Sequence, residues 1–600
     1  MALPVRRLAI PILMLVVAGA LIARARLGLD LGDGTHAVEL AMRLARGDQP
    51  FRDEMNLQVL GAWPAVPFVW GWLHVVGVSG VVLASRVFFV VLTLAVAALA
   101  WRAVARSLGR LTSGVAAVAA VVPTAYNLQL VGYNTTPALL YLVAASSAVG
   151  AIARGSLPET PETAAGASGA AEMSGRPQSA VRWAVLGGAA AVLGAVSHPV
   201  TAPAGAALLL LSLGWSRGRV RAGLTAGAAG AALVVAGLAG WLWGLDHVRE
   251  TLAFTADYQG ERVDRLTRLE AWLAYLGGEL THPAVLVALG LGVAAAVALW
   301  RRSVVAGPLL LAAVALTAAH GLTRDAAAAT FSVGSWLSPV LALVLTLVLL
   351  PAAIVTAALL RGAALRLLTI GAAPTVIGAP VIAAFTSSSP TWGAVGACLA
   401  PAVFAVTASA LTGLTRLRAP VTRAPAAPRV SSRHVTGWTA AGVGAVVLVA
   451  LVASHTATSF RDGPLGRLDT AAPQGAYAGL LTTDRRAAEV GVAQAALRSC
   501  ATAGSSVLAI GYPAAYLMGD VRSATPVTWL GDFGPSTSHV VQWLDERQVV
   551  PDCVVRPAGW WRAGGGASAP AGDPLRAWVE ARYSPSASTS TLVVLRRNAG

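Results

Sequence analysis

Six carboxylates crowd into one stretch of a 600-residue chain: Asp30, Asp33, Glu39, Asp48, Asp53 and Glu54 all fall between Leu29 and Gly77. A carboxylate beside a substrate hydroxyl takes the proton as that oxygen becomes a nucleophile, so the cluster suits general-base chemistry. His36 adds a side chain whose charge changes near neutral pH. Between Thr35 and Arg46, apolar Ala37, Leu40, Ala41 and Leu44 recur at helical spacing, with Glu39, Arg43 and Arg46 elsewhere. This pattern predicts a short amphipathic helix lying flat at a membrane surface. Asp33 stands just before it, as its cap or as the base. Asp30 reads as a solvated loop acid or a supporting group. Asp53 and Glu54 close the stretch and are candidates to orient an acceptor or a divalent cation.

The elements that must hold these residues belong to a lipid-dissolved chain. It is 56% hydrophobic and 12% charged, with mean hydropathy +0.66; globular proteins carry about 25% charged residues. Apolar runs such as Val81 to Trp101 and Gly437 to Ser454 approach bilayer length. The expected fold class is mostly α, a polytopic helical membrane protein of about 13 spans. A transmembrane barrel would need short alternating strands instead. The expected spans include 113–130 and 199–214.

The net charge of +16 comes from arginine in short clusters between the apolar runs, which reads as a topology signal and not as a nucleic-acid surface. Placing the clusters from Arg6 to Arg433 in the cytoplasm puts the N-terminus inside. An odd number of spans then puts the C-terminus outside. Residues 1–455 are thus a transmembrane domain, with a first external loop at 29–79 and disordered cytoplasmic loops at 155–181 and 415–434. The spans are nearly free of acids, which disfavours an ion pump and puts the polar chemistry outside.

Asp33, Gly34, Thr35 and His36, a helix ending at Arg46 and Gly47, then Asp48, Gln49, Pro50, Phe51, Arg52 and Asp53, and an apolar stretch with Gly61 and Pro64, resemble the first extracytoplasmic loop of the glycosyltransferase C superfamily. These polytopic enzymes include protein mannosyltransferase-like and aminoarabinose transferase-like members. The resemblance implies a multi-pass plasma-membrane glycosyltransferase that moves a hexosyl or pentosyl group, with inversion, from a polyprenyl-phosphate carrier. The implied acceptor is an extracytoplasmic glycan, lipid or protein. Asp33 matches the catalytic position. Gly34 departs from the Asp-Glu pair of the protein mannosyltransferases.

Cations should hold the donor phosphate. Arg249, Arg262 and Arg265 between Gly244 and Leu280 are the candidates, with Arg324 a second position; ion pairs on a solvated helix are the competing role. A divalent cation is the one candidate cofactor, although no His-x-x-x-His pattern provides for it. A non-catalytic or transport protein for lipid-linked glycans is the alternative reading. Membrane lipids are partners in either case, and nucleic acid in neither.

Beyond the last span, residues 456–600 regain charge. Strand-length apolar runs at Ser506 to Ile510, Cys553 to Val555 and Thr591 to Leu595 interleave with helical patterns at Asp484 to Cys500 and Ser536 to Arg547. They predict a small extracytoplasmic α/β domain without a recognisable motif. Its Cys500 and Cys553 either pair, with the helix packed on the sheet, or remain two buried thiols. The topology is tested by single-cysteine labelling, in which Thr163 and Arg423 should be protected from an impermeant reagent in intact cells while Asp48, Arg262 and positions within 456–600 react.

Overall fold

Charge-poor runs of Ala, Leu, Val and Gly form eleven helices long and apolar enough to cross a bilayer among the described residues, from Leu8–Ala25 to Trp438–Ala457. The computed structural model describes residues 3–155, 170–260, 264–328, 337–385, 395–416, 432–457, 461–530, 536–558 and 572–598. Two of the expected spans are not among these eleven. Pro199–Trp215 remains a short apolar helix. The run expected at 113–130 is helical only over Arg110–Val121, and twelve residues rise about 18 Å against an apolar core of about 30 Å. Pro123 ends it, and Tyr126 and Asn127 take left-handed backbone conformations at φ 55° and 55°. Irregular backbone at this depth is tolerated where protein buries it.

The expected loops at 155–181 and 415–434, and Arg262, lie largely outside the described residues. The end of the first loop is nevertheless helical, since Ala170–Ser197 is one continuous helix; Ala, Glu, Met and Gln are strong helix formers.

Arg86, a charge inside the helix Val81–Leu108, has a packing role. Its Nη1 donates to the carbonyls of Ala25, Leu27 and Gly28 at 3.0, 3.3 and 2.9 Å. These lie where helix Leu3–Ala25 ends, and the last carbonyls of a helix lack partners of their own.

All the strands follow the last long helix. β1 (Thr470–Ala471) and β2 (Leu481–Thr482) form an antiparallel pair. β3 (Ser506–Ala509), β4 (Arg522–Ser523), β5 (Cys553–Pro557), β6 (Tyr583–Ser588) and β7 (Leu592–Arg597) form a mixed sheet in the order β4-β3-β5-β7-β6. β3 runs parallel to β4 and β5, while β7 is antiparallel to β5 and β6. Helices Asp484–Arg498 and Ser536–Glu546 occupy the expected stretches.

This portion is stitched to the start of the first loop. Leu481 N donates to Arg26 O at 2.7 Å and Gly28 N to Leu481 O at 2.8 Å. Asp462 accepts from Leu29 N and Thr482 Oγ1, each at 2.6 Å.

Cys500 and Cys553 are paired with Cα atoms 5.9 Å apart, and Cys398 is buried and free. Non-reducing peptide mapping should recover one cross-linked Cys500/Cys553 peptide and one thiol at Cys398; two free thiols in oxidised, folded protein would remove the bridge.

Candidate functional site

The capping role open to Asp33 falls to Asp30, which is buried and is not a solvated loop acid. Asp33 opens the helix Asp33–Ala45, whose N-cap is Gly32 with no side-chain capping bond. Asp30 holds this end instead, accepting from Gly32 N at 2.9 Å through Oδ1 and Gly34 N at 2.5 Å through Oδ2. Relieved of capping, Asp33 meets two side chains from distant parts of the chain. Arg461 Nη1 lies 3.0 Å from Oδ2, and the Tyr133 hydroxyl donates to Oδ1 at 3.4 Å. Both carboxylates are buried. Burial raises both above the usual carboxylate range, Asp33 adds to this at Asp30, and Arg461 pulls each back.

The walls are aromatic. Trp529 stands edge-on to His36 with ring centres 5.7 Å apart, and the Arg461 guanidinium lies 5.7 Å from the Trp529 ring centre. Tyr133 comes from the irregular segment after Arg110–Val121. Gly61 lets it approach, because a Cβ there would lie 2.3 Å from Tyr133 Cα. His36 Nε2 pairs with Gln58 Oε1 at 2.9 Å, which puts the proton on Nε2. Burial lowers His36 to about 4 against that hydrogen bond, so it is neutral at pH 7.

Helix Asp33–Ala45 is buried from Asp33 to Arg43 and does not lie exposed on a membrane surface. Its polar side is taken up by the C-terminal portion. Arg43 donates to Asp48 at 2.6 Å, Glu54 at 2.7 Å, Ser523 Oγ at 3.2 Å, Thr525 O at 3.1 Å and Thr528 Oγ1 at 3.2 Å. Glu54 also accepts from Thr528 N at 2.9 Å and Thr528 Oγ1 at 2.5 Å. Burial opposes the Arg43 charge, but Glu54 and Asp48 outweigh it and raise its pKa. Asp53 accepts from Gln49 N at 2.8 Å and pairs with Arg547 at 3.2 Å. Asp53 and Glu54 thus anchor the loop to the C-terminal portion and do not line the Asp33 pocket.

The candidate phosphate cations are engaged elsewhere. Arg249 pairs with Asp246 on an exposed surface, Arg265 covers Phe385 at 4.3 Å, and Arg324 grips both Glu279 oxygens at 2.8 Å. Arg461, Trp529 and Tyr477, whose hydroxyl lies 3.2 Å from Thr35 Oγ1, were invisible to spacing. Each lies hundreds of residues from Asp33, and no local pattern marks it. Among the described residues, no group of three or more His, Cys, Asp or Glu side chains is placed to hold a metal ion.

No protein-family model matches the chain, and no curated protein matches it in sequence. Among solved structures it is similar to ArnT from Cupriavidus metallidurans in the apo state, with 15% identity over 99% of this chain and 98% of that one, at a TM-score of 0.42. The same protein bound to undecaprenyl phosphate matches at 13% identity, the same coverage and a TM-score of 0.39. At identities and TM-scores this low, neither likeness assigns an activity or a residue role to this chain.

Glu39 lies on the same helix, 1% exposed, with Oε2 lacking any hydrogen bond. Burial pushes its carboxyl up to about 8 from 4.5. The folded state therefore keeps a proton that the unfolded chain has lost, and stability falls as pH rises from about 4.5 to about 8. At pH 7 the cost is on the order of 3 kcal/mol. Glu39→Gln should flatten the dependence of Tm on pH across this window and raise Tm at pH 8, measured by thermal unfolding in detergent. Glu54→Ala leaves Arg43 with Asp48 as its one carboxylate partner and Thr528 without its acceptor, and should destabilise by about 1 to 3 kcal/mol in the same assay.

Proposed function

We propose that the chain is a glycosyltransferase of the glycosyltransferase C superfamily, using a polyprenyl-phosphate sugar at the outer face of the plasma membrane. The N-terminus is cytoplasmic and the C-terminal portion extracytoplasmic. The observation that carries this reading is the contact of Asp33 with Arg461 and Tyr133: a carboxylate beside a cation, outside the spans of a multi-pass protein. A lipid-linked donor needs a reaction centre near the headgroups, and support comes from the contact of Tyr133 with the first loop, which follows the first apolar helix.

The acceptor hydroxyl attacks the anomeric carbon of the donor, and the bond from that carbon to the phosphate oxygen breaks. The acceptor proton passes to Asp33. The carrier leaves as a phosphomonoester, already an adequate leaving group, so one base suffices. The mechanism calls for no metal-bound step. Neutral His36 is a hydrogen-bonding wall and not a second charge.

Asp33→Asn keeps the shape and removes the base. In membranes supplied with a panel of labelled polyprenyl-phosphate sugars, the variant should insert normally and lose transfer by about 100-fold or more. Transfer at the wild-type rate would take Asp33 out of its role. No transfer from any donor by the wild type would favour the non-catalytic alternative.

A further inference from the structure

We infer that Arg461 is shared in turn by two anions, holding Asp33 in the resting protein and moving to the phosphate of a polyprenyl-phosphate ligand when it arrives, so that the lipid itself releases the base. This rests on the reading of Asp33 given above. Three observations carry it.

The first is access. The Asp33 side chain is 7% exposed whereas that of Arg461 is 40% exposed, so an incoming anion reaches the guanidinium before the carboxylate. The second is placement. Arg461 takes a left-handed backbone conformation at φ 56°, a strained choice for a non-glycine residue. Its backbone is held on the C-terminal side: its carbonyl accepts from Arg486 Nη2 at 2.8 Å, and its neighbour Asp462 binds Leu29 N and Thr482 Oγ1. Beyond this anchored backbone the long side chain is 40% exposed and runs beside the Trp529 ring, 5.7 Å from its centre.

The third is chemistry. Arginine binds phosphate oxygens through paired N–H donors, and a phosphodiester that becomes a phosphomonoester gains negative charge on leaving. A guanidinium that follows the phosphate therefore stabilises the leaving group. Asp33 then loses the partner that lowered its proton affinity, while burial continues to raise it. Asp33 becomes a stronger base only when the donor is present. Arg461 touches the substrate and is on this account catalytic, supplied by the segment behind the last long helix.

The test uses the full chain in detergent with undecaprenyl phosphate as probe, bound in the absence of any sugar. Arg461→Gln should weaken binding by about 10-fold or more. Asp33→Asn should tighten it relative to wild type, because the competing anion is gone; a merely structural Arg461 would not produce this opposite response. Gly32→Ala is the second variant, since its Cβ would lie 2.3 Å from Arg461 Nη1 and push the guanidinium off Asp33 without removing it. It too should bind the probe more tightly than wild type.

With an active donor, Arg461→Gln should raise donor KM and move the acidic limb of the kcat/KM profile to higher pH. Binding equal within about twofold in all three variants would overturn the inference. Arg461-dependent probe binding without sugar transfer by the wild type would keep the phosphate site and reject the glycosyltransferase reading. Transfer with probe binding indifferent to Arg461 would do the reverse.

Discussion

A guanidinium and a carboxylate removed from water cost several kcal/mol each unless their remaining hydrogen-bonding positions are filled. Arg43 and Glu54 meet that demand in part within the loop, through Asp48, and in part through Ser523, Thr525 and Thr528, all on the C-terminal portion. The first loop and the C-terminal portion are therefore not separable layers. With Thr528 removed from the loop, the pair is left under-bonded. With it present, helix Asp33–Ala45 is clamped at its far end, which fixes where Asp33 at the near end must point.

The near end has its own constraint. A helix start leaves backbone amides without partners, and here Asp30 and not Asp33 supplies the acceptor. Had Asp33 capped its own helix, its oxygens would face the helix amides. They face Arg461 and Tyr133 instead. The same logic explains Arg86, whose charge lies in an apolar helix because the end of helix Leu3–Ala25 offers three carbonyls to accept from it. Asp30 and Arg86 are buried where the backbone needs a partner.

A bilayer tolerates broken helices only where other protein satisfies the exposed backbone. The stretch after Arg110–Val121 meets that condition. Asn127 Oδ1 accepts from Ser338 N at 3.0 Å, and its Nδ2 donates to Ser454 O at 3.2 Å, tying the turn to two neighbouring helices. This secures Tyr133 against Gly61 and gives the pocket a wall from the helical bundle. The pocket is thus assembled from the loop, the broken helix and the segment after the last long helix, none of which contains it alone.

Residue type and periodicity were enough for the apolar helices, the helix after Asp33 and the strands at Ser506, Cys553 and Leu592. These follow from local physics: hydropathy over a bilayer's width, a 3.6-residue repeat and a 2-residue repeat leave their imprint on neighbouring residues. They did not reveal where the helix near Arg110 stops being regular, that the loop helix is buried, or which carboxylate caps and which is left free. Nor did they select Arg461 over Arg249, Arg265 and Arg324. A cation's partner is decided by which carboxylate lies within about 4 Å, and Arg324 found Glu279 while Arg461, more than 400 residues along the chain, found Asp33. Such pairings depend on how the chain closes in space, and spacing along one dimension does not encode that distance.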